Sequence, residues 1–140
     1  VTLSAADERE IQSVLVRYAT GIDRRDWSLF RSCFTVDFHG DYGSFGSWDG
    51  AESITTAMQA MHAALGPTLH RLSNVVIGTE SATVVSRCYV DAVLQPGTSG
   101  GELHQAMGYY DDLWQHTAAG WKIRSRKFTL VASAARSNRA

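Results

Sequence analysis

A change of period at Gly66-Pro67 constrains this chain more than any other feature. Upstream of it, apolar residues recur at helical spacing. Downstream they fall in long extended runs rich in β-branched and aromatic residues. A chain that places its helices first and its strands afterwards does not build alternating strand-helix-strand units. The pattern therefore predicts an α+β fold, with helices packed on one face of a mostly antiparallel sheet.

Three helices are expected upstream. Ser4 with Asp7 three positions later reads as a capped start, and Ile11, Val14, Leu15, Tyr18, Ala19 and Ile22 continue one apolar face over residues 5–22. Asp26 can cap a short second helix carrying Trp27, Leu29, Phe30, Cys33 and Phe34, so two helices meet near Asp23. Residues 51–65 present Ile54, Ala57, Met58, Met61 and Leu65 on one face, with Gly66-Pro67 as the expected stop. Residues 34–38 and 42–45 read as short extended pieces bent at glycines.

Strands are expected at 68–77, 82–94, 102–116 and 121–131, with turns at 78–81 and 117–120 and a longer loop at 95–101. Long strands of this kind suit a strongly curved sheet, wrapped around the helices as a cone that encloses a pocket. In the run 82–94, Ser86, Cys88, Val90 and Ala92 share one face and Arg87, Tyr89 and Asp91 the other; parity does not say which looks inward. Residues 133–140 are small and polar and are expected to fray or wrap a neighbour.

Apolar residues make up 44% of the chain and charged residues 19%, a balance that predicts one folded domain over residues 1–140 rather than disorder. The net charge is -1 with scattered arginines, which argues against nucleic acid as a partner. No apolar run is long enough for a membrane span and no secretion signal is visible, so the cytoplasm is the expected location. Cys33 and Cys88 sit in apolar segments and read as buried hydrophobes.

The polar residues narrow the chemistry. His39, His62, His104 and His116 have no ligand spacing, and His39-Gly40-Asp41 offers two candidate ligands at most, so no metal is expected. The glycines at 40, 43, 46 and 50 are followed by no Gly-Lys-Ser/Thr, and no Gly-x-Ser-x-Gly elbow occurs, so no phosphate cradle, serine nucleophile or bound cofactor is expected. Asp23 stands at a helix end, where an exposed carboxylate is disfavoured by about 0.3–1 kcal/mol, and so invites a partner. A solvated pair with Arg24 or Arg25 is the plain reading and a functional role the sharper one. His70 opens a strand, where an imidazole can point into the mouth of a cone. Trp27, Phe30, Phe38, Tyr42, Phe45 and Trp48 supply more aromatic surface than a small core needs, and some are expected to line a pocket for a hydrophobic ring-containing molecule.

The order of elements, the segment Tyr-Ala-Thr-Gly-Ile-Asp-Arg-Arg-Asp at 18–26, and Gly120-Trp121-Lys122-Ile123 before an arginine-rich strand resemble the SnoaL-like family of the nuclear transport factor 2-like superfamily. That superfamily holds polyketide cyclases, dehydratases, a dehydrochlorinase, isomerases and proteins without catalysis. The resemblance implies an Asp-His pair at Asp23 and His70, with accompanying tyrosines at Tyr18 and Tyr42. It also implies a pocket arginine at Arg126, or at Arg124 if the strand register slips. The implied activity is that of a cofactor-independent lyase or isomerase (dehydratase, dehydrohalogenase or cyclase type), with His70 as base. The rival expectation is a non-catalytic ligand-binding or oligomeric scaffold of the same fold. The resemblance also implies a homodimer or higher oligomer, for which Trp121, Ile123 or Tyr109 on the convex sheet face would gain from burial.

Overall fold

The computed structural model describes residues 2–97 and 101–137. Helix α1 (Ala5–Arg24) begins with a reciprocal capping box: Asp7 N–H donates to Ser4 Oγ at 3.1 Å, and Ser4 N–H donates to Asp7 Oδ2 at 2.9 Å. It ends where Arg25 turns left-handed at φ 58°. Asp26 accepts from Leu29 N–H at 3.0 Å and so starts α2 (Trp27–Arg31). The two helices approach closely because residue 21 is glycine; a Cβ there would lie 2.8 Å from Phe30 N.

Strand β1 (Phe34–Asp41) follows, then a short 3-10 turn (Gly43–Phe45), β2 (Ser47–Asp49) and α3 (Ala51–His62). The remaining chain forms β3 (Leu65–Glu80), β4 (Thr83–Pro96), β5 (Glu102–Thr117) and β6 (Gly120–Ser137). The sheet has six strands in the order β2-β1-β6-β5-β4-β3, antiparallel throughout except where β1 runs parallel to β6. Irregularities bend it: register shifts fall between Ser73 and Val76 and between Met107 and Gly108. Gly108 permits the second, since a Cβ there would lie 2.0 Å from Thr129 O. The helices lie in the concave face, and the sheet wraps them without closing.

The apolar face of α1 (Ile11, Val14, Leu15, Tyr18, Ile22) is fully buried against α2 and the sheet. On β4, Ser86, Cys88, Val90 and Ala92 face inward. Cys33 and Cys88 are buried free thiols, and burial pushes both up to about 11.

Several boundaries differ from expectation. Helix α3 stops at His62, and Leu65, Gly66 and Pro67 already belong to β3, because Leu65 pairs with Pro96 and Arg25 holds Gly66 O at 2.7 Å. Residues 42–45 are not extended; Gly43 and Gly46, at φ 59° and 133°, fold them into a turn closed by Tyr42 N–H to Gly46 O at 2.8 Å. The expected fray from residue 133 is strand as far as Ser137, paired to Glu102, while residues 138–140 and positions 98–100 of the expected loop lie outside the described residues. Trp121 and Ile123 do not face the convex side. They are 7% and 0% exposed, and the convex face instead shows Val76, Tyr89 and Val131.

Candidate active site

The left-handed turn at Arg25 leaves Asp23 on the last turn of α1, facing the start of β3. Thr68 and His70 are two apart on that strand, so their side chains share a direction and reach the same carboxylate. Asp23 Oδ1 lies 2.7 Å from His70 Nδ1 and accepts from Thr68 Oγ1 at 2.9 Å, while Oδ2 accepts from His70 N–H at 2.8 Å. Desolvation pushes this carboxyl up, but the bonds from the His70 ring, the His70 backbone and Thr68 outweigh it, and the net shift is downward. Asp23 is therefore an acceptor at neutral pH. Since the carboxylate only accepts, His70 Nδ1 donates between them, and in the neutral imidazole the lone pair is then on Nε2.

Among the described residues Asp23 forms no ion pair with Arg24 or Arg25. Arg25 instead donates to Ile22 O, Gly66 O and Thr68 Oγ1 at 2.7–2.9 Å, which ties the end of α1 to the start of β3. It thereby also orients the threonine that serves Asp23.

His70 lines a cavity of about 260 Å³ on the concave face of the sheet. Its apolar wall includes Ile22, Met58, Leu65, Val90, Leu94 and Phe128. Grooves of about 480 and 650 Å³ elsewhere are lined more by charged and polar groups, such as Asp7 and Arg124, or Arg87 and Asp111. The concave cavity joins an apolar wall to converging polar groups.

Those groups include three phenols. Tyr18 Oη is 3.1 Å from Tyr42 Oη and 3.5 Å from Tyr110 Oη, and all three residues line the cavity. Burial holds the hydroxyls of Tyr42 and Tyr110 well above the usual phenol range, so both stay protonated. Three phenol protons serve two mutual contacts, which leaves a proton available to a ligand oxygen.

Arg126 lies behind them. Its guanidinium carbon is 3.8 Å from the centre of the Tyr110 ring and 4.2 Å from that of Tyr18, and it makes a bidentate pair with Asp112 at 2.7 and 2.8 Å. Both side chains are fully buried. Desolvation works against the cation, but the Asp112 carboxylate prevails and holds Arg126 charged. Arg126 is thus the inward arginine and Arg124 the exposed one, yet Arg126 does not line the cavity. It braces the rings that do.

Of the residues singled out in the sequence, Tyr18, Tyr42 and His70 line one cavity and Asp23 bonds to His70 from behind it. Of the six aromatic residues expected to supply pocket lining, Tyr42 and Phe45 line the cavity, and Trp27, Phe30, Phe38 and Trp48 do not. Trp27, Phe30 and Phe38 pack into the ring stack that continues through Phe34 to Tyr18, and Trp48 packs edge-on to Tyr42. Phe30 and Phe38 are fully buried in the core, and Trp27 and Trp48 pack half-buried against it. Tyr110 and His62 were missed. Tyr110 sits in Tyr109-Tyr110-Asp111-Asp112, where both strand faces carry the same residue types and alternation says nothing.

A SnoaL-like domain model matches residues 4–127, and the chain belongs to that family. It is 29% identical over 127 residues to the protein Rv2910c of Mycobacterium tuberculosis, covering 86% of this chain and 83% of the relative. The fold matches that of a protein from Novosphingobium aromaticivorans provisionally assigned as a scytalone dehydratase, with a TM-score of 0.84 at 19% identity, over 96% of this chain and 91% of that one. It also matches a type 2 hexachlorocyclohexane dehydrochlorinase, with a TM-score of 0.85 at 16% identity, over 96% and 91%. The type 3 dehydrochlorinase of Novosphingobium barchaimii gives a TM-score of 0.81 at 16% identity, over 96% and 92%.

Proposed function

We propose that this protein is a cofactor-independent lyase or isomerase acting on a small, hydrophobic, ring-containing molecule, with Asp23 and His70 as its general-base dyad. The observation that carries this reading is the 2.7 Å bond between Asp23 and His70 Nδ1, with His70 lining a largely apolar cavity. His70 Nε2 takes a proton from carbon, and the C–H bonding pair becomes the new double bond or an enolate. In an elimination the leaving group departs with its own bonding pair. Asp23 fixes the tautomer and stabilises the imidazolium that forms. The phenols of Tyr18, Tyr42 and Tyr110 donate to the oxygen or leaving group where negative charge grows, and Phe45 contacts the ring.

Arg126 acts at one remove, since it touches the tyrosine rings rather than the cavity. The names of the structural relatives support the elimination reading: a dehydratase and a dehydrochlorinase each remove a proton together with a leaving group. The rival is a binding scaffold without catalysis, in which Asp23 serves only to join α1 to β3 through Thr68 and His70. We also propose self-association through the convex sheet face, where Tyr89 and Val131 are 51% and 69% exposed.

The test is a screen of β-hydroxy and β-halo cyclic ketones for loss of water or hydrogen halide. Conversion that His70→Ala reduces by about 10²–10⁴ supports the reading. Equal conversion by the parent and by folded His70→Ala overturns it.

A further inference from the structure

The register of the sheet sets His70 at one end of a row of small side chains. Along the hydrogen-bonding direction His70 on β3 stands opposite Ala92 on β4, Ala92 opposite Ala106 on β5, and Ala106 opposite Ser133 on β6. Directly opposed residues share a face of the sheet, so all four look to the concave side. The rows on either side stand taller. Leu72 pairs with Val90 on one flank; on the other, Thr68 pairs with Leu94 and Leu94 with His104. The result is a trench across the strands, floored by alanine, with His70 at its inner end. Adjacent strands lie ~4.8 Å apart, so the three steps from His70 to Ser133 span roughly 14 Å of sheet.

Two volumes lie along this trench. The inner one, of about 260 Å³, is lined by His70, Ala92 and Ala106 among others, and an outer one, of about 490 Å³, by Ala106 and Ser133. Phe45, Leu65, Leu94 and Ala106 line both, so the volumes adjoin at an apolar neck. Of these four, Ala106 is the one in the row of His70, and any side chain longer than a methyl group there would stand in the passage. Ser133 is exposed, so the outer end opens to water.

We propose that the ligand is an elongated molecule whose reacting end lies over Ala92 beside His70 and whose chain leaves across Ala106 toward Ser133, so that Ala106 sets the length of ligand the site accepts. The inference rests on the reading that the cavity beside His70 is the ligand site. The neck is hydrocarbon on every side named, so the part of the ligand that crosses it is an apolar chain. The far end of that chain meets water, where a polar group is at no disadvantage.

The probes are linear methyl ketones from 2-pentanone to 2-undecanone, which offer the tyrosines a carbonyl and lengthen by one CH2 at a time. Dissociation constants are measured by calorimetry on the parent protein and on Ala106→Leu. In the parent each CH2 that enters the trench is expected to tighten binding by about two- to fourfold. That gain should continue for several carbons beyond the length at which it stops in Ala106→Leu. A gain that stops at the same length in both proteins, or a loss in the variant that is uniform over all lengths, overturns the proposal. Should the variant fold poorly, nuclear Overhauser contacts in the parent decide: the terminal methyl of 2-undecanone should contact Ala106, Ser133 or Ala135. Contacts to Ile22 and Met58 in their place, as for a chain coiled within the inner cavity, overturn it. No binding at any length overturns the inference together with the ligand-site reading, whereas a common stopping length overturns the trench alone. None of these readouts needs proton transfer by His70, which has its own test.

Discussion

Thr68 donates its hydroxyl proton to the same Asp23 oxygen that receives His70 Nδ1, at 2.9 Å, and is itself held by Arg25 at 2.9 Å. The chain Arg25, Thr68, Asp23, His70 therefore keeps the carboxylate ionised and aimed. Thr68→Val removes one donor to the carboxylate and is expected to destabilise the fold by about 1–2 kcal/mol at neutral pH. The pKa of Asp23 is lowered on folding, so the stability it contributes is present above the unfolded carboxylate value and fades as pH falls through the folded one. Thermal melts should show the Thr68→Val deficit in full at neutral pH and a smaller deficit below about pH 4.

Asp23→Asn tests the other half of the dyad. An amide presents its NH2 or its oxygen to His70 Nδ1 and no longer supports the imidazolium. Turnover on any substrate found for the parent should fall by about 10²–10⁴, with a smaller effect on KM. Unchanged kcat would mean that the carboxylate only joins α1 to β3.

The buried pair of Arg126 and Asp112 makes a stability prediction. Asp112→Ala strands a guanidinium that is 0% exposed and should cost about 3–5 kcal/mol in denaturant titration. Replacing both residues by leucine should recover most of that loss. It should not recover the geometry of Tyr18 and Tyr110, whose rings the guanidinium braces, so activity should stay low in the double variant.

How much of this was legible beforehand depended on whether local chemistry or long-range packing decided it. Ser4, Asp7 and Asp26 announced their caps because capping is settled within a few residues. Gly66-Pro67 marked the change of period, but not the helix end, because pairing of Leu65 with Pro96 drew those residues into the sheet. Asp23 and His70 were findable through the segment around Asp23 and the odd placement of a carboxylate at a helix end. Tyr110 and His62 were not, since the first lies in a strand with no clear alternation and the second reaches the cavity wall only through the packing of the end of α3. The aromatic cluster misled for a related reason: composition counts rings, while the curvature of the sheet decides which of them face the opening.

Asp7 joins the start of α1 to β6, accepting from Trp121 Nε1 at 2.9 Å as well as from the Ser4 backbone. The Trp121 bond, followed by those of Ser4, brings its carboxyl down to about 2. A lowered folded pKa stabilises the native state above the unfolded carboxylate value, and that contribution is lost as pH falls toward 2. Asp7→Ala should therefore lower the melting temperature at neutral pH, with the gap to the parent narrowing steadily between about pH 4 and pH 2. A gap that does not change over that range would show that the ionised carboxylate contributes nothing.

The proposed function requires that His70, held by Asp23, remove a proton from carbon in the cavity. Exchange of the α-protons of ring ketones such as the tetralones, followed by proton NMR in heavy water, isolates that step from any leaving group. Exchange well above the buffer rate is expected with the parent protein, with a fall of about 10²–10⁴ in His70→Ala while the variant keeps the parent's fold by circular dichroism. Exchange at the parent rate in folded His70→Ala, or no exchange by the parent for any tetralone shown to bind in the cavity, would contradict it.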